Sequence, residues 1–305
     1  MEKRDLNTLL EEYIRVYEDS LKEVREDTYR KFHEETEIII EIIDNWIDII
    51  PKNEEKDDFI HSFQGVLLLY LWKISNWIGY EILNGKYFEA FRDCRFLFEA
   101  SVLSVIIEDA IESEVYEKWK KLSSFALKCE ILQLWEELVD RHVYKRKGRL
   151  CKIIEEHVEN YLNRLNLSEN ERKELKEVYY SILSDERLGY SIPKMIEELK
   201  KFLPIEDKED ILKETWKILN KYTHFTYTFC YTVLERPELL FVEDMDERLF
   251  KECFKAYFTT IDLLYCILCW RFEALKKRMR EIINWWNENF SLRLELTERM
   301  IGSGG

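Results

Sequence analysis

Apolar residues recur at helical spacing along nearly the whole chain. Leu6, Leu10, Tyr13, Tyr17, Leu21, Val24, Phe32, Ile39, Ile42, Trp46 and Ile49 form one stripe with charges between them. This period predicts a long amphipathic helix, or two joined ones, stopped by Pro51. A second helix is predicted from about Asp57 to Trp77 and closes at the Asn84-Gly85 turn. The third, Tyr87 to Ile111, carries Phe88, Phe91, Phe96, Leu97, Phe98, Val102, Leu103 and Ile106 on all sides. A helix without a polar face belongs at the centre of a fold.

Beyond it the pattern turns more polar. Helices are expected over about Ser113 to Lys147 and Arg149 to Leu165, with Gly148 between them. Ser168 and Glu171 have the spacing of a capping box for the next helix. Ser191 before Ile192-Pro193 opens a short helix that ends by Pro204. Asp207 to Arg236 read as one long helix closed by Pro237, and Glu238 to Asp246 as a loop. A last long helix is expected from Glu247 to Asn289. From Phe290 to Leu296 apolar and polar residues alternate, which fits an extended tail or a short helix. The fold class is therefore all-α: a multi-helix bundle of long amphipathic helices. Residues 1–140 and 205–300 build its core, 141–204 form a charged helical lobe or insertion, and 301–305 are a flexible tail.

Composition supports this reading. Only 8 Gly and 4 Pro occur in 305 residues, too few for a turn-rich β protein. Hydrophobic residues make up 46% and charged ones 35%, as in a chain that packs a core. The formal charge of -15 disfavours broad wrapping of nucleic acid. Seven cysteines, most of them inside apolar stretches, read as reduced, buried thiols of a cytoplasmic protein. The charged N-terminus does not resemble a secretory leader, and no run approaches a membrane span, Asp262 interrupting the best candidate. Abundant Glu, Lys and Arg beside two Gln hint at a thermophilic source.

Common catalytic signatures are missing: no Gly-rich phosphate loop, no HExxH and no calcium loop. Asp58 and His61 have half of a metal-site spacing without a second half, and read as a charged helix start. Cys266 and Cys269 have CxxC spacing but lie mid-helix, where core packing is the expected role. Basic residues from Arg141 to Lys152 read as a solvated helix end. Trp285-Trp286 read as packing anchors. No metal and no cofactor are expected.

Two oddities remain. On the central helix, Arg92, Asp93, Arg95 and Glu99 are the only charges between Ala90 and Ile107. Arg92, Arg95 and Glu99 share a face with Phe88, Val102 and Ile106, so these charges are expected to be buried and paired. Arg preceding Glu by four is the weaker order for a local pair, which points to partners on other helices. His224 is the second oddity: it stands in the uncharged stretch Tyr222 to Leu234. Arg95, Glu99 and His224 are thus the candidate catalytic group. Arg92, Trp216, Tyr222 and Tyr227 are candidate binding residues.

The segment Asn84-Gly85-Lys86-Tyr87-Phe88-Glu89-Ala90, followed by Arg95-Phe-Leu-Phe-Glu99, resembles a group of uncharacterised prokaryotic helical proteins with an R-x-x-x-E motif after a Gly turn. Leu219-Asn220-Lys221-Tyr222-Thr223-His224 resembles their L-S-x-x-x-H segment, with Asn in place of Ser. The likeness covers the middle of the chain. More distantly it extends to HEPN-type abortive-infection bundles, which imply a metal-independent ribonuclease with an Arg–His pair. Here that pair would come from two helices, since no R-x4–6-H occurs. Two functions follow as expectations. The first is a non-enzymatic interaction or assembly module that binds a protein partner or a second copy of itself, away from membranes. The second is a ribonuclease or defence effector acting on RNA.

Overall fold

The computed structural model describes residues 6–49, 63–112, 190–206, 208–224 and 244–302, with scattered positions between 159 and 187 and at Thr232. Among the described residues the regular structure is entirely helical. The elements are α1 (Leu6–Lys31), α2 (His33–Ile49), α3 (Phe63–Leu83), α4 (Tyr87–Glu112), α5 (Ile192–Leu199), α6 (Glu209–Thr223), α7 (Glu247–Arg271), α8 (Glu273–Asn289) and α9 (Glu295–Gly302).

The helix expected at the centre is there. Every described residue of α4 from Leu97 to Ile106 is buried. Helices α3, α5, α6 and α7 pack around α4, while α2 and α8 pack on each other outside this layer. Helix α7 is the second core element, with Ile261 through Cys269 buried in succession. Contrary to expectation, α7 is long and apolar enough to cross a membrane, the one such helix among the described residues. In this fold 78% of its most apolar window is covered by protein.

The first stripe divides into two joined helices at Phe32. The hydrogen-bond ladder nearly continues, since Phe32 N–H donates to Thr28 and Thr36 N–H to Phe32. The Thr28 hydroxyl donates to the Val24 carbonyl at 2.8 Å, a back-bond that bends helices. The bend brings Phe32 onto Phe250, with ring centroids 4.3 Å apart.

Two expected long helices are broken. The stretch from Glu247 to Asn289 separates at Phe272, which is extended (φ -122°, ψ 103°) although neither Gly nor Pro is near. Burial of the Phe272 ring and the Arg271–Glu108 ion pair (2.8 Å) fix the corner, so tertiary packing overrides helix propensity. The helix expected from Asp207 to Arg236 stops at Thr223, with His224 as its extended cap (φ -108°, ψ 161°). Aromatic and Thr residues follow one another here, and both are weak helix formers. The tail takes both expected forms: Phe290 is extended, and α9 follows.

Of the proposed charged lobe, the stretch that includes α5 inserts Met195, Ile196, Leu199 and Leu203 into the common core. Helix α5 ends at Leu199, five residues before Pro204. The basic run Arg141 to Lys152, the Asp58–His61 spacing, Glu171 and the tail beyond Gly302 lie outside the described residues.

The Asn84-Gly85 turn behaves as its sequence requires. Gly85 has φ +73°, and a Cβ there would meet the Asp244 carbonyl oxygen at 2.7 Å. Gly85→Ala is therefore expected to cost about 2 kcal/mol, from left-handed strain plus the clash. A lower urea midpoint at unchanged slope would register it; an unchanged midpoint would mean that the turn relaxes.

Candidate functional site

The candidate group assembles where α4 crosses the C-terminal end of α6. Arg95 Nε donates to Glu99 Oε1 at 2.8 Å, one turn along α4. A terminal nitrogen of Arg95 donates to the Thr223 hydroxyl at 3.0 Å and lies 2.5 Å from His224 Nε2. The Trp216 indole N–H donates to the same Glu99 oxygen at 3.2 Å. The Thr223 hydroxyl in turn donates to the Leu219 carbonyl at 2.8 Å. Arg95 and Glu99 have side-chain exposures of 16% and 7%. The charge pair is mutually neutralised and largely withdrawn from water.

Several expectations change here. The local Arg95–Glu99 pair forms in spite of its weaker order, because Trp216 and Thr223 hold both ends in place. Arg92 is not inward: its side chain is 67% exposed and pairs with neighbouring Asp93 at 2.9 Å. One residue is 100° of helix, so Arg92, three positions before Arg95, points about 60° away from it. His224 is exposed and lies at the end of α6, not within a buried helix. Tyr222 is buried and stacks on Phe91 with centroids 4.4 Å apart, facing the core. Trp216 joins the network as described, and Tyr227 lies outside the described residues.

The four described cysteines, Cys94, Cys253, Cys266 and Cys269, are buried free thiols, as expected. Burial pushes Cys94 and Cys269 up to about 12, so both keep their protons at neutral pH. Trp286 is buried, donates to the Leu292 carbonyl at 2.8 Å and touches Phe290; Trp285 stays 41% exposed.

Three buried carboxyl groups escape the sequence reading. Glu108 pairs with Arg271 between α4 and α7. Asp262 accepts from the backbone N–H groups of Leu296 (2.9 Å) and Thr297 (3.0 Å) and from the Thr297 hydroxyl (2.7 Å). It thus caps α9 from another helix, and burial still raises it to about 6. Glu81 is buried with Oε2 unpartnered among the described residues, and burial, with Asp93 and Glu89 nearby, raises it to about 8. The signal was available for Asp262, a lone charge in an apolar run. The same signal marks Glu81, the one acid of an apolar helix, whereas Glu108, next to Asp109, resembles an ordinary helix-surface residue in sequence.

No protein family, characterised protein or solved structure matches this chain.

Proposed function

We propose that the protein is a non-enzymatic interaction module that assembles through the outer face of α3. One observation carries the reading. Helix α3 is apolar around its whole circumference, with Lys73 and Glu81 its only charges. Yet Lys73, Trp77 and Tyr80 form an open stripe at i, i+4, i+7, with Trp77 53% and Tyr80 38% exposed. Their rings stack on each other at 5.2 Å, so the stripe presents a preformed aromatic plate. Helices apolar all round are normally covered, and Trp and Tyr dominate the energetics of interfaces.

The occupant we infer is a second copy of the chain, because one helical stripe laid against its own twofold mate buries both plates at once. Trp77→Ala/Tyr80→Ala should weaken self-association about 30-fold or more, the loss of at least one aromatic hot spot. Sedimentation velocity over a wide concentration range reads this. A wild type that stays monomeric throughout would sink the proposal.

The ribonuclease reading keeps one supporting observation: exposed His224 lies 2.5 Å from an Arg95 nitrogen. Against it stands Glu99, which neutralises the arginine that a phosphoryl transition state would need. Incubation of a labelled RNA pool without metal is expected to leave it intact. Cleavage that is lost in a folded His224→Ala variant would reverse the order of the two readings.

A further inference from the structure

A second feature shares no residue with the α3 stripe or the Arg95 network. A cleft of about 480 Å³ opens between α6, α7 and the segment that leads into α9. That volume is in the range of about 300–1,000 Å³ in which small-molecule sites fall. Beneath it runs a row of three rings one helical turn apart on α7: Phe250, which is fully buried, Phe254, 6% exposed, and Phe258, half-buried. Successive rings lie 6.1 and 6.0 Å apart. The row is about 12 Å long, eight residues of helical rise. Leu212 and Leu296 close its sides, and Ile211 and Leu292, 40% and 37% exposed, form its lips.

The charges around this apolar trough are unbalanced. Lys208 is paired with Glu295. Asp262 spends its oxygens on capping α9. That leaves Lys251, Lys255 and Arg293 facing only Glu35 among the lining residues. All three cations are exposed, and none has an ion pair with a described carboxylate; Lys251 rests on the Phe32 ring at 5.4 Å. The result is a cationic rim on a chain whose formal charge is -15. An apolar cleft with cations at its rim complements a molecule that has an extended apolar tail and one anionic end.

We propose that this cleft binds a small amphiphilic carboxylate, its alkyl chain lying over Phe254 and Phe258 between Ile211 and Leu292 and its carboxylate held among Lys251, Lys255 and Arg293. Apart from the Thr259 hydroxyl, the uncharged lining is apolar, which favours an alkyl chain over a sugar or a base. The proposal does not rest on assembly through α3, since no residue is shared.

Calorimetric titration of the full chain with decanoate, and with decyltrimethylammonium as a cation of equal chain length, tests it. Both are kept below micelle formation. Decanoate should bind saturably at one site, and the cation about tenfold more weakly or less. Lys255→Glu/Arg293→Glu changes two exposed side chains and should melt like wild type while reversing that order. A second variant, Leu292→Glu, should weaken decanoate by narrowing and charging the lip. The proposal is overturned by absence of saturable decanoate binding, by equal affinity for the two amphiphiles, or by a charge-reversed variant that still prefers decanoate.

Discussion

Arg95→Ala is expected to lower the free energy of unfolding by about 3 kcal/mol, the usual cost of stranding a buried charge. The variant leaves Glu99, 7% exposed, with only the Trp216 indole at 3.2 Å as a described partner. It also removes the donor to Thr223 and the neighbour of His224. Removing both charges should restore most of the loss, because two apolar side chains can fill the same space without desolvating an ion. Arg95→Met/Glu99→Leu should therefore unfold within about 1 kcal/mol of wild type, and with the single variants Arg95→Met and Glu99→Leu it completes a double-mutant cycle with a coupling of at least about 2 kcal/mol. Urea denaturation reads each of these proteins. If Arg95→Ala costs less than about 1 kcal/mol, the network is not what fastens α4 to α6. The group would then have to be explained by what it binds.

That experiment bears on what the sequence could tell. Helical period and scarcity of Gly and Pro settle the fold class, because both act within a few residues of chain. The central position of α4 was legible for the same reason: a stretch with no polar face has nowhere else to go. Helix ends were legible where side chains cap them, as at Asp246, whose carboxylate accepts from Arg248 and Leu249 at 3.0 and 2.9 Å. The positions of the breaks at Phe32 and Phe272 were not, because no Gly or Pro marks them, and at His224 the run of Thr and aromatic residues weakens the helix without dictating where it ends. Phe32 and Phe272 leave the helical path to bury their rings, and a window of sequence does not contain the cavity they fill.

The candidate site was half legible. Isolated charges in an apolar helix marked Arg95 and Glu99, and their burial follows from the helical period. The same argument failed for Arg92, whose side chain turns out to water beside Asp93 although Tyr222 of α6 reaches Phe91 next to it. His224 stood out by its uncharged surroundings, yet uncharged did not mean buried. The cleft along α7 had a sequence signature, three Phe four residues apart with Lys beside the first two. Only the return of residues 290–296 turns that row into a trough.

Glu81→Gln should make the protein more stable at pH 8.5 while leaving it little changed at pH 4.5. Burial raises the Glu81 carboxyl from 4.5 to about 8; nearby Asp93 and Glu89 push the same way, and Arg92 and Trp77 only partly oppose them. Between those two values the folded protein holds a proton that the unfolded chain has released. Stability must then fall as pH rises through this window. Below about 4.5 both states are protonated and the residue contributes no slope; above about 8 the folded state carries an ionised, half-satisfied carboxylate, Oε2 having no described partner. The full effect is on the order of 3 kcal/mol once relaxation and water entry soften the burial. Asp262, raised to about 6, adds a slope of the same sign at lower pH. It is present in both proteins and cancels in their difference. The quantity to plot is therefore the unfolding free energy of Glu81→Gln minus that of wild type, from urea melts at pH 4.5, 6, 7 and 8.5. It should climb by about 3 kcal/mol, most steeply near neutrality. A flat difference would show that Glu81 ionises in the folded state as readily as in the unfolded chain, with water or a cation reaching the carboxylate between α3 and α4.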